Sequence, residues 1–193
     1  MGNKFEGLHR KTFDGELITV LEDVLQKDSL QVIFIHMMGS HEDFKERYPK
    51  TFNHFSQEDY SSYPENQKKT RAEYDNTILY SDYVVSQMMH KCDQEEAIVI
   101  YFSDHGLDIY ETDPDYFGHA KGEEASVNAC YQIPFMIYLT PRFRENWPNT
   151  VLSIENNRDK SFLTENLIYT FMDIIGVDFV DNEDVKHYSL LRP

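Results

Sequence analysis

The sequence predicts an α/β domain of three layers around a mainly parallel sheet. Apolar runs of strand length recur along the chain, a long helical pattern lies between two of them, and polar or turn residues close each run. The runs are "QVIFI" at 31–35, "AIVIYF" at 97–102 and "IPFMIYL" at 133–139. An unbroken apolar run suits a strand covered on both faces, so strands are expected at 31–35, 98–102 and 134–139.

The remaining elements follow in chain order. Over Gly15–Leu25, Leu17, Leu21, Val24 and Leu25 share one helical face. Residues 42–70 are rich in Tyr, Asn, Gln and Ser and hold Pro49 and Pro64, which predicts a long excursion above the sheet. A helix is expected at 72–90, because Tyr74, Ile78, Val85 and Met89 recur at spacings of four and seven with Asp82 as the polar member of that face. A helix between two buried strands is a βαβ unit. Finally, Leu163, Leu167, Phe171 and Ile174 form a helical face over 161–175, halted by Gly176. The predicted order is α, β, α, β, β, α, with no internal repeat.

A chain of 193 residues, 40% hydrophobic, reads as one globular domain spanning 1–193. Its formal net charge of -16 excludes nucleic acid held by bulk electrostatics, so any phosphate it handles must meet a local metal or basic pocket. No stretch approaches the roughly 20 apolar residues of a membrane span, and the N-terminus lacks an apolar signal core, so the chain as written reads as soluble. Cys92 and Cys130 are compatible with two buried thiols or one disulfide.

The chemistry gathers where the runs end. Asp104 and His105 stand at the end of the second run, at the sheet edge where open α/β folds bind ligands. A carboxylate beside an imidazole offers a hard oxygen and a borderline nitrogen to a divalent metal such as zinc. His36 closes the first run, and "YFGHA" at 116–120 brings His119. If the strands are parallel neighbours, the three histidines and the aspartate converge on one edge.

"HMMGSH" at 36–41 with "RYP" at 47–49, "YDNTILYSDY" at 74–83, "YFSDHG" at 101–106, "YFGHA" and "QIPFMIYL" at 132–139 follow one another in a familiar order. The sequence resembles the catalytic domain of the lipid A phosphoethanolamine transferases, inner-membrane members of the sulfatase and alkaline phosphatase superfamily that work on the periplasmic face. The likeness runs over roughly residues 14–176 and covers the C-terminal half of that domain. It implies a sulfatase/alkaline-phosphatase-like fold, here incomplete, with an exposed apolar edge that a second copy of the chain can cover.

The resemblance also implies chemistry. In the family, zinc is held by a glutamate, by a nucleophilic threonine and by the aspartate and histidine that correspond to Asp104 and His105. His36 and His119 correspond to histidines facing the transferred phosphate and are candidates for a further zinc. Phosphoethanolamine passes from phosphatidylethanolamine to the threonine and then to a lipid A phosphate. The family's glutamate and threonine lie upstream, and nothing in Met1–Asp28 resembles that segment; Thr12, followed by Phe-Asp-Gly, looks like an acidic loop rather than the nucleophile. No catalytic nucleophile is therefore expected in this chain, and these residues alone are expected to be inactive. Leu107 stands where the family carries glutamate, with Asp108 next, and Glu42–Asp43 replace a Gly-Pro. The other readings are a sulfatase or phosphodiesterase of the same superfamily, separated by a cysteine or serine nucleophile signature, and a non-catalytic sulfatase-like piece.

Overall fold

In the computed structural model, residues 12–27, 29–119, 127–177 and 183–192 are described. Their contacts divide the chain into two units, one reaching Cys92 and joined by Val99–Tyr138, the other made of Asp93–Ile98 with the chain from Leu139 onward.

The first unit grows from two helices. Helix α1, Glu16–Leu25, turns Leu21 inward with Leu17, Ile18 and Leu25 beside it, the amphipathic face expected of it. Helix α2, Glu65–Lys91, contains the predicted 72–90 and begins nearly two turns before it. Its buried stripe is Ala72, Asn76, Tyr80, Val84 and Met88, with Val85 beside it, while Ile78 is exposed. This corrects the predicted face through Tyr74 and Ile78. Apolar spacing alone offers both stripes. The stripe that turned inward is the one whose polar members find partners: the buried Asn76 side chain accepts from His54 N and Phe55 N, both at 2.8 Å, and donates to Phe55 O. Leu21, Tyr48, Tyr80, Val84, Met88 and Cys92 form the core, with Val99 packed against it.

Strand β1, Ile98–Phe102, pairs in a two-stranded sheet with a strand at Phe135–Leu139, and both lie where the apolar runs predicted. Between them come β2, Asp108–Ile109, β3, Phe117–Gly118, and the short helix α3, Val127–Tyr131; Phe135–Leu139 is therefore β4. Strands β2 and β3 pair antiparallel, Asp108 opposite Gly118 and Ile109 opposite Phe117.

The run at 31–35 is not a strand. It is exposed instead, Val32 by 53% and Phe34 by 86%. A strand exists only as part of a hydrogen-bonded ladder, and among the described residues nothing pairs with this segment. Apolar composition records a tendency to be buried, which a missing neighbour leaves unrealised. The excursion predicted at 42–70 ends before residue 65, where α2 begins, and holds three 3₁₀ turns, Phe44–Glu46, Lys50–Phe52 and Gln57–Tyr60, with Phe44 and Tyr48 buried. Cys92 and Cys130 are both buried and are not joined in a disulfide.

In the second unit, Thr140 caps α4, Pro141–Asn146, its hydroxyl oxygen accepting from Phe143 N at 3.4 Å; the same hydroxyl accepts from Ala97 N at 3.0 Å and donates to Glu95 O at 2.7 Å. Helix α5, Pro148–Asn157, follows. Helix α6, Leu167–Ile174, starts later than predicted and leaves Leu163 exposed in the loop before its preceding 3₁₀ turn. Arg192 forks onto the Asp173 carboxylate at 2.6 and 2.8 Å.

Candidate active site

The turn after β1 carries the Asp-His pair. Ser103 Oγ donates to His105 O at 2.7 Å, and Asp104 Oδ1 accepts the His105 amide at 3.0 Å, so the two side chains project from a tightly bonded turn. His105 Nδ1 lies 2.8 Å from Gly106 O. A carbonyl only accepts, so Nδ1 carries a proton, and in the neutral ring Nε2 keeps its lone pair. Metal-binding histidines are commonly oriented this way, the second ring nitrogen donating to a carbonyl or carboxylate.

Gly106 sets the turn against helix α3. Its N–H donates to Cys130 O at 2.7 Å, and a Cβ there would fall on the Ala129 carbonyl oxygen. No side chain larger than hydrogen fits such a backbone approach.

The β2–β3 hairpin returns the chain to this turn and delivers His119. Gly118, at φ +141°, makes the last step in a conformation other residues rarely adopt, with the Tyr116 hydroxyl 2.7 Å from where a Cβ would stand. The loop of the hairpin is held by Asp108, fully buried, whose carboxylate accepts from Glu111 N at 2.8 Å and from the Thr112 hydroxyl. The His105 and His119 rings stack, centroids 4.2 Å apart and planes 26° apart. Ala120, the last residue of that motif, lies outside the described residues.

Asp104, His105 and His119 are thus brought together. His36 is exposed and makes no hydrogen bond or ring contact with them; with no strand at 31–35, it does not mark a strand exit. Its loop is fixed from elsewhere. The buried Asp14 carboxylate accepts from Met38 N at 3.0 Å and Gly39 N at 2.8 Å, while the adjacent Gly15 N–H donates to Tyr80 Oη at 2.9 Å. The Thr77 hydroxyl reaches Ser40 Oγ at 2.7 Å. Sequence reasoning missed Asp14, whose only local signal is an Asp-Gly turn ahead of a helix.

The donor set fits part of a zinc site. Asp104 Oδ2 stands 3.9 Å from His105 Nε2. Two ligands at about 2.0–2.2 Å on a tetrahedral ion lie about 3.3 Å apart, so a small side-chain rotation closes the pair. The side chains are reachable, with Asp104 84% and His105 44% exposed. Among the described residues no group of three or more His, Cys, Asp or Glu is placed to hold a metal ion; Asp104 and His105 offer two donors where a closed zinc site needs about four.

Comparison with known proteins places the chain. It is 25% identical over 175 residues to phosphoethanolamine transferase EptC of Escherichia coli (strain K12), covering 88% of this chain and 30% of EptC. To Kdo(2)-lipid A phosphoethanolamine 7''-transferase of the same strain it is 28% identical over 126 residues, 63% of this chain and 21% of that protein. The chain therefore spans about a third or less of the length of these relatives. The crystal structure of the C-terminal periplasmic domain of E. coli EptC in complex with zinc superposes with a TM-score of 0.80 at 22% identity, over 99% of this chain and 54% of that one, and shows the sulfatase/alkaline-phosphatase-like α/β fold. The sulfatase family model matches residues 2–177. This chain, with its Asp-His turn and returning histidine, belongs to the sulfatase family.

Proposed function

We propose that these residues form part of the catalytic domain of a zinc-dependent phosphoethanolamine transferase, which moves phosphoethanolamine from phosphatidylethanolamine to a lipid A-type acceptor on the periplasmic face of the inner membrane. The observation that carries the reading is the Asp104–His105 pair: the Gly106 carbonyl engages Nδ1, which leaves Nε2 3.9 Å from Asp104 Oδ2 and, in the neutral ring, able to ligate. Zinc, when bound there, supplies positive charge against phosphoryl oxygens. Asp104 and His105 hold it. His119, stacked on His105, and His36 donate imidazole N–H groups to the phosphate being transferred. The nucleophile in this reading is a threonine outside residues 1–193, which carries the group as a phosphothreonine between two displacements.

Two measurements test this. In calorimetric zinc titrations, Asp104→Asn and His105→Ala should each weaken binding by about tenfold or more, the loss expected for one ligand or its orientation. Zinc affinity indifferent to both substitutions would remove the basis of the reading. Residues 1–193 alone, given zinc and a phosphatidylethanolamine analogue, should release no head group; turnover abolished by Asp104→Asn would place a nucleophile inside them.

A further inference from the structure

Helix α2 presents Gln67, Arg71, Tyr74 and Asp75 at spacings that share one face. Arg71 and Asp75, four apart, are of opposite charge and would ordinarily pair across one turn. They do not. The Arg71 guanidinium turns back to Gln67 Oε1, with its Nε and one terminal nitrogen both at 3.3 Å. It stacks over the Tyr63 ring at 4.2 Å and lies 5.6 Å from that of Tyr110. Asp75 is engaged from the other side by the Tyr60 hydroxyl. Among the described residues no carboxylate comes within ion-pair distance of Arg71, although the chain carries a net charge of -16.

A cavity of about 180 Å³ has both charges in its wall: Tyr60, Tyr63, Arg71, Tyr74, Asp75 and Glu111 line it together with the apolar Leu107 and Ile109. An engineered cavity of about 150 Å³ holds benzene, so this one takes a molecule of about six to eight heavy atoms. Its chemistry is two-sided. A guanidinium with unused N–H groups selects an oxyanion, and two carboxylates among tyrosine faces select an ammonium. Burial raises the Tyr74 pKa, and the fields of Asp75 and Glu111 add to that shift, which places both carboxylates electrostatically at the same ring.

We propose that this cavity binds a small zwitterion, its phosphate or carboxylate on Arg71 and its primary ammonium between Asp75 and Glu111 against the tyrosine rings. The site uses none of the residues assigned to phosphoryl transfer, and it stands whether or not that assignment does. A ligand joining the two charges through two or three bonds completes an ion pair on each side that the protein keeps from closing on itself. Each half alone leaves one charge uncompensated.

The test is titration of the 193-residue chain followed by NMR of the tyrosine ring resonances, with O-phosphoethanolamine, glycerophosphoethanolamine, glycine, inorganic phosphate and ethanolamine as probes. At least one zwitterion should bind more than tenfold tighter than phosphate or ethanolamine alone and should shift Tyr63 and Tyr74. Preference for the diester would identify a lipid head group as the source of the ligand; preference for the monoester or glycine would identify a soluble one. Arg71→Gln and Asp75→Asn should each weaken binding about tenfold, and Asn at 75 retains an oxygen for the Tyr60 hydroxyl. Phosphate alone binding as tightly, affinity unchanged in Arg71→Gln, or no saturable binding at millimolar concentration would overturn the proposal.

Discussion

Gly106→Ala is the most direct test of how the Asp-His turn is built. The new Cβ would fall on the Ala129 carbonyl oxygen and stand 3.1 Å from the Ala129 carbonyl carbon and 3.2 Å from that of Cys130. These are backbone atoms, so no side-chain rotation relieves the clash, and the turn or helix α3 must move. Movement opens the 2.7 Å bond from Gly106 N to Cys130 O, a loss of about 1 kcal/mol. Overpacking adds about 1–3 kcal/mol, for a total of about 2–4 kcal/mol. Urea denaturation followed by fluorescence reads the stability. A second readout is local: the Gly106 carbonyl that holds His105 Nδ1 moves with the backbone, so ¹⁵N NMR should show the His105 ring passing from one tautomer to a mixture. An alanine variant with an unchanged midpoint and Nδ1 still protonated would refute the account of the turn.

Asp14→Ala removes the acceptor of two backbone N–H groups, and because both donors are only half-buried the loss should be about 1–3 kcal/mol; faster hydrogen exchange at Met38 and Gly39 checks that the loss is local to the His36 loop. Burial raises the pKa of Tyr74 and Tyr101, with nearby carboxylates adding to each. The folded chain thus holds these phenolic protons more tightly than the unfolded one, so their contribution is full below the ordinary tyrosine value of about 10 and is lost as pH rises through the raised values. Denaturation midpoints should fall above about pH 10, in step with tyrosinate absorbance, and a flat profile there would contradict the shifts. The exposed run at 31–35 should drive self-association, and sedimentation should show Phe34→Glu shifting the chain toward monomer; a wild type monomeric at all concentrations would rule this out.

Much of this protein was legible along the chain. The strands at 98–102 and 135–139, helix α2 and the amphipathic α1 follow from unbroken or periodic apolar residues, because those patterns report the repeat of the backbone itself. The order of motifs through SDHG and YFGHA carried the family, and the two segments do come together at the His105–His119 stack.

Other features were decided by contacts the local pattern does not contain. The run at 31–35 has strand composition, yet pairing needs a neighbour that the described residues do not supply. Helix α2 had two candidate stripes, and Asn76, reaching residues about twenty positions earlier, selected one. Asp14 holds the His36 loop from 24 and 25 residues away. Arg71 and Asp75 would pair by helical spacing, but Tyr63 and Tyr60, from the segment before the helix, draw them apart. Sequence by itself determined which segments form helices and strands and which residue types stand at their ends. Tertiary structure decided which faces are buried, which tautomer His105 adopts and which charges stay unpaired. Periodicity acts within a few residues, whereas a hydrogen bond or ring stack between distant segments depends on where the intervening chain is anchored.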